Sequence, residues 1–289
     1  MNNHIGEYVR DIRRSKRMSL KELSQDIVTE SFLSKFERGQ HQISAHHLFL
    51  MLERLNLTAT EFYADIQKTH TNSQENFHKK LTKAQMNGNL RILNELFLKE
   101  KESYHQTKNY RHQHQMIILE QWINYYSGQK FSRRKIQKIV DYLWDVDEWK
   151  IYELRVFGQL IFCLSSEQLD MFSRVIMKRS RTYMRLGQYK GEVYELLIQL
   201  IRRLIKIEKS HRAESLVQEL INLTEATDDY YIHNKTIYLR GLIKIQQGQV
   251  SEGKDLAEKA IHMMKYFKHD ALVKKCQAEL TECLVPNGK

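Results

Sequence analysis

The sequence is short of backbone breakers: one proline and 11 glycines in 289 residues. That scarcity excludes a turn-rich β fold and a doubly wound α/β fold, and it predicts a chain that is nearly all helix. Cysteine is equally sparse. Cys163, Cys276 and Cys283 have no paired spacing and sit in apolar helical contexts, so they offer neither a disulfide framework nor a zinc site and read as reduced core thiols. The opening MNNHIGEYVR lacks the apolar core of a signal peptide, and no run approaches the ~20 apolar residues of a membrane span. A cytoplasmic protein with no membrane partner is expected. The 13 histidines, including His46-His47 and the His112/His114 pair, never take the HExxH spacing of a metal helix. With no glycine-rich phosphate loop and no nucleophile elbow, no catalytic residue, metal or cofactor is expected, and the protein is not read as an enzyme.

What the chain does have is 42% hydrophobic and 28% charged residues, the balance of an ordinary folded protein, over a length too great for one compact helical core. Two domains are expected. The net charge of +11 invites a nucleic-acid reading. Yet Met1 to Ile66 carries nine basic and nine acidic residues, and the excess belongs to the rest of the chain. Clustering says more than the total, because Arg10, Arg13, Arg14, Lys16 and Arg17 fall within eight residues.

The N-terminal segment reads as five short helices. Ile5, Val9 and Ile12 recur at helical spacing. Ser19 followed by Glu22 is a capping box that opens a second helix. A third begins after Thr29 or Glu30 and carries Leu33 and Phe36 to Gly39, a residue free to take positive φ at a helix end. Ser44 caps a fourth, and Thr60 with Glu61 is expected to open the fifth around Phe62. Two short helices joined by a tight turn are the geometry of a helix-turn-helix, whose second helix enters the DNA major groove.

The run SLKELSQDIVTESFLSKFERGQHQIS resembles the helix-turn-helix of Xre/Cro-type regulators, and most closely that of the Rgg (Rgg/GadR/MutR-like) branch, whose recognition helix commonly ends in Ser-Arg/Lys-Phe-Glu-Arg-Gly. The resemblance covers about 65 residues by motif, and the rest of the chain by length and helical content. One departure matters: the residue before Leu33, often a glutamine able to read adenine, is Phe32, whose ring can touch a thymine methyl but cannot make a bidentate hydrogen bond. Base-edge contacts are expected from Ser31, Phe32 and Lys35, with Thr29 near the turn. Phosphate contacts are expected from Arg13, Arg14, Lys21, Arg38 and the helix N-terminus at Ser44. Phe32 could equally be a partly exposed core residue and the Arg13 cluster a solvated helix face, while Glu37 is expected to pair with an arginine inside the domain.

Residues 67–80, QKTHTNSQENFHKK, are polar and read as a linker or the start of a helix between a DNA-binding domain at 1–66 and a regulatory and dimerisation domain at 81–289. Beyond it the helical pattern breaks near Thr107, Asp147, Gln188, Asp228 and Lys268, at steps of about 40 residues, with a second set near Gly88, Gly128, Ser165, Ser210 and Gly248. Helix pairs repeated at that period stack into a solenoid. In RGLIKIQQGQVSEGKDLAEKA, Gly241, Gly248, Gly253 and Ala260 stand where a tetratricopeptide-like repeat needs small residues. The predicted fold is all-α: helix-turn-helix, then helical-repeat solenoid.

A solenoid presents a concave groove lined by the first helix of each pair, suited to an extended peptide. Gln159 and Gln199 are polar intrusions in apolar first helices, one period apart, and one turn earlier the same register gives Gln115, Arg155, Glu195 and Lys235. Either the glutamines face the groove and bond a peptide backbone, or they bond each other or the backbone between repeats. Arg155 could hold a carboxylate bidentately. Tyr152, Tyr194, Tyr231, His233 and Asn234 are further candidates on the same helices. The Rgg resemblance implies a short hydrophobic signalling peptide in this groove, quorum sensing by a homodimer on double-stranded promoter DNA, and activation more often than repression, through dimer spacing or contact with RNA polymerase. The alternative is a regulator whose repeats bind a protein partner. A phosphatase-like repeat protein would lack the DNA-binding segment, which argues against it.

Overall fold

The computed structural model describes residues 3–69, 73–185, 189–225 and 227–285. Among these there are sixteen helices and no strand, in two compact units divided between Asn87 and Gly88. The expected boundary at Ile66 therefore falls short. Residues expected as linker or helix start run into a helix of the first unit, α6 (Ser73–Met86), because Phe77, Leu81 and Ala84 recur at helical spacing and are buried.

The first unit contains α1 (Asn3–Ser15), α2 (Leu20–Ser24), α3 (Glu30–Glu37), α4 (Ala45–Arg54) and α5 (Ala59–Thr69) as well as α6. Local sequence sets these ends. Ser19 and Glu22 form the expected capping box on α2. The Thr29 hydroxyl accepts from Phe32 N–H to open α3, and that of Ser44 accepts from His47 N–H to open α4. Gly39 takes φ 72° just beyond α3. The fifth helix starts earlier than expected: Thr58, not Thr60, is the cap, because its hydroxyl accepts from Glu61 N–H while the Glu61 carboxylate accepts from Thr58 N–H, and only that three-residue spacing closes the box. Val9, Leu23, Leu33, Phe36, Met51, Leu52, Leu55 and Phe62 form one core.

The second unit runs from α7 (Leu90–Thr107) through α8 (Tyr110–Tyr126), α9 (Arg133–Asp145), α10 (Ile151–Leu160), α11 (Ser166–Arg185), α12 (Lys190–Lys206), α13 (Ser210–Thr224), α14 (Tyr230–Gln246) and α15 (Val250–Tyr266) to α16 (Asp270–Leu284). The helix ends match both sets of expected breaks, save that Gln188 lies outside the described residues. One continuous apolar core runs from Ile117 to Leu280. The tightest packing is between α14 and α15. A Cβ on Gly241 would stand 2.7 Å from the Gly253 carbonyl oxygen, and one on Gly253 would stand 2.5 Å from that of Gly241. Only glycine on both helices permits this approach, which is why small residues occupy the motif.

Candidate functional sites

The helix-turn-helix is α2 and α3, joined by residues 25–29. Leu33 and Phe36 turn inward and leave Ser31, Lys35 and Arg38 exposed, with Lys21 on α2 and Arg14 on α1 also in solvent. Thr29 and Ser44 spend their hydroxyls on caps, so what they present is the helix N-termini. Phe32 is half-buried, packs on the domain core and stacks on His41 with ring centroids 5.6 Å apart. Arg38 is exposed and donates weakly to Gln40 at 3.4 Å.

Arg13 departs from its expected phosphate-binding role. It is buried, and its guanidinium donates to both Glu37 oxygens at 2.7 and 2.8 Å and to the Met18 carbonyl at 2.8 Å. All three guanidinium nitrogens are engaged inside the domain and the side chain is buried, so it is not presented to DNA, and Glu37 has the internal arginine partner expected of it. The pair fastens α3 to α1. Gly6 assists, since a Cβ there would lie 2.0 Å from the Phe36 carbonyl oxygen, so α3 rests directly on α1. Nothing in the local pattern singled out Gly6; its role exists only once two helices touch.

In the second unit the candidates part company. A groove of about 1100 Å³ is lined from α8 by Trp122 and Tyr125, from α10 by Gly158 with Ile161 just past its end, from α12 by Gln199, Arg202, Arg203 and Lys206, from α14 by Leu242 and Gln246, and from α16 by Glu279 and Glu282, with Phe131 and Phe162 alongside. These are the first helices of successive pairs, as expected. Of the proposed peptide contacts, only Gln199 lines it.

The others have been claimed by the fold. Tyr194 is buried and its hydroxyl donates to the Leu223 carbonyl, because its position on α12 faces α13 and not the groove. Tyr152 pairs with His114 Nδ1 at 2.9 Å within an aromatic cluster that includes Tyr110 and Tyr142. Asn234 donates to the Ala260 carbonyl at 3.0 Å, facing α15. Arg155 is exposed and bidentate to Glu192 at 2.7 and 2.8 Å. Lys235 is buried, reaches Glu195 at 2.5 Å and lies over the Tyr231 ring. Gln115 is buried, Gln159 half-buried, Tyr231 touches His269, and His233 stands 3.4 Å from the Thr224 hydroxyl. The Lys235–Glu195 pair does join equivalent positions one repeat apart.

The groove column that sequence reasoning missed lies three residues beyond the glutamines. Trp122, Phe162, Arg202, Leu242 and Glu282 stand at steps of 40 residues and all line the groove. The period was sufficient to find them, but polar intrusion was the wrong marker: an aromatic, an arginine and a leucine share one geometric position. At one end Trp122 stacks on Phe162 with centroids 3.9 Å apart, joined edge-on by Tyr125 and Phe131. Toward the other end Arg202 is ion-paired with Glu279 and lies over the Tyr238 ring, whose hydroxyl donates to the Cys276 carbonyl at 2.8 Å. Burial pushes the Cys163 thiol up to about 12, against the pull of Arg133 and Arg203, which keeps it protonated and inert.

No group of metal-ligating side chains and no helix long and apolar enough to cross a membrane occurs among the described residues. A helix-turn-helix joined to a helical-repeat unit defines the class: a DNA-binding transcription regulator. Comparison with known proteins places it more narrowly. Residues 95–278 match the C-terminal domain of the HTH-type transcriptional regulator Rgg, and residues 9–62 match a helix-turn-helix family. The chain belongs to the Rgg family, whose members are transcription regulators and not enzymes.

Among solved structures, the chain is similar to a protein of Listeria monocytogenes EGD-e described as a transcriptional regulator, at 21% identity and TM-score 0.85, covering 98% of each chain. It is similar to the Streptococcus dysgalactiae SHP pheromone receptor Rgg2 at 22% identity and TM-score 0.78, over 96% of this chain and 99% of that one. A receptor solved in a bacterial peptide pheromone/receptor complex matches at 14% identity and TM-score 0.67, over 97% and 98%. At these identities the likeness establishes the fold.

Proposed function

We propose that the protein is a cytoplasmic, sequence-specific regulator that binds promoter DNA as a homodimer through α3 and is controlled by a short hydrophobic peptide in the groove of its second unit. The observation that carries this reading is the groove: successive repeats line one cleft of about 1100 Å³ with the Trp122–Phe162 aromatic surface and the arginines of α12. That two of the similar structures are a pheromone receptor and a peptide pheromone/receptor complex supports it. Ser31, Lys35 and the outer edge of Phe32 read bases, Arg14, Lys21, Arg38 and the α4 N-terminus at Ser44 hold phosphates, and Arg13 positions α3 from behind. Two small domains on one duplex explain why a dimer is needed, since each alone makes few phosphate contacts. Activation is favoured over repression on the family resemblance.

The test is selection of duplex DNA by the full-length protein, followed by affinity and melting-temperature measurements with peptides fractionated from host culture supernatant. A selected operator whose affinity changes with a peptide that also raises the melting temperature supports the reading. Selected DNA with no responsive peptide leaves a regulator and removes its peptide control.

A further inference from the structure

Arg202 and Arg203 are adjacent on α12 and both line the groove, but their charges are in different states. Arg202 is held by Glu279, touches Cys276 and rests on Tyr238. Arg203 has no such partner: its Nε–H is covered yet lacks an acceptor, and its guanidinium makes no ion pair or hydrogen bond among the described residues. Arg203 lines the same groove as the Trp122–Phe162 stack. The indole N–H of Trp122 is likewise covered without an acceptor. A half-buried guanidinium and an indole donor that both lack acceptors are costly in a folded wall, and an acceptor brought by a ligand relieves that cost.

We propose that Arg203 is the anion-receiving subsite of this groove, taking a carboxylate of the bound peptide while the Trp122–Phe162 surface takes the apolar side chain next to it. The inference rests on the peptide-groove reading and adds to it which cation the ligand's acid meets and which neighbour fixes its apolar flank. Arg202 is excluded from that role because Glu279 already occupies it. The carboxylate can belong to an Asp or Glu side chain or to the peptide C-terminus, and either fits a planar fork.

The experiment incubates immobilised full-length protein with two pools of short peptides made from Ile, Leu, Val, Phe and Gly, one pool with free C-terminal acids and one amidated, each including members with and without a single Asp. Bound peptides are counted by mass spectrometry for wild type, Arg203→Gln, Arg203→Lys and, as a control, Lys178→Gln on the exposed face of α11 away from the groove lining, with melting temperature and DNA binding measured on each variant. The expected result is enrichment of carboxylate-bearing members by wild type and by Lys178→Gln, a loss of about tenfold or more in Arg203→Gln, and an intermediate loss in Arg203→Lys. Enrichment that disappears in the amidated pool identifies the C-terminus; enrichment that follows Asp identifies the side chain. If wild type captures peptides regardless of carboxylate, or Arg203→Gln folds, binds DNA and keeps the preference, this inference is overturned and the groove reading stands. If DNA is bound but no pool member is captured by wild type, the groove reading fails and this inference with it.

Discussion

Arg13 and Arg14 are neighbours with opposite fates, and helix geometry is the cause. A step of one residue turns about 100° around the axis, so one guanidinium goes in and the next goes out. Removing Arg13 strands the buried Glu37 carboxylate, for which about 3–5 kcal/mol is the ordinary loss. Urea denaturation of Arg13→Ala is expected to show that loss in the first unit. Arg14→Ala should leave stability within about 0.5 kcal/mol and instead flatten the salt dependence of DNA binding by roughly one unit of slope. His114 gives a second test. It is buried among Tyr110, Tyr142 and Tyr152, and desolvation lowers its pKa from 6.5 to about 4 against the opposing charge of Glu153. The unfolded chain therefore takes up this proton first. Stability contributed here is full above pH 6.5, declines as pH falls toward 4, and levels off below, with a total on the order of 3 kcal/mol. Urea midpoints at about pH 7 and about pH 4.5 should move less in His114→Phe than in wild type.

At the scale of elements, caps and periods were legible because they are local. Ser19, Thr29 and Ser44 announce their helices with their own hydroxyls, and the 40-residue spacing of breaks recovers the repeat. The groove's membership was not legible to the same degree. Tyr194 and Gln199 lie five positions apart on α12, far enough around the helix for one to fill the interior and the other to line the groove, and sequence polarity alone does not say which. Gly6 carries no signal beyond the residue type, since its need arises from a partner distant in sequence, whereas Gly241 and Gly253 are marked by the small-residue pattern of the repeat. The same contrast gives a sharp comparison. Gly253→Ala forces α14 and α15 apart and should cost about 1–3 kcal/mol. Gly191→Ala, near the start of α12 with nothing within 4 Å of the added methyl, should be neutral or stabilising by up to about 1 kcal/mol. Melting temperatures of the two variants measured together check the order; a Gly253→Ala protein that melts with the wild type would contradict the packing described.

For the whole molecule, neither unit explains regulation by itself. The first unit carries a recognition helix clamped from behind, and the second carries the groove; the proposed function requires a free-energy coupling between them. Such coupling is reciprocal. If a groove peptide changes operator affinity by some factor, operator DNA must change peptide affinity by that same factor, because both close one thermodynamic cycle. A modest coupling of about 1–3 kcal/mol corresponds to roughly 5- to 150-fold. The peptide is also expected to stabilise the full-length chain by about 2.7 kcal/mol at a hundredfold excess over its Kd, since only the folded groove binds it. Titrating peptide into protein with and without saturating operator, and operator into protein with and without saturating peptide, measures both halves of the cycle. Equal factors different from one establish that groove and recognition helix are two ends of one equilibrium. Factors of one in both directions, with both ligands bound tightly, would mean that the peptide controls some later step, such as contact with polymerase, after the DNA is already held.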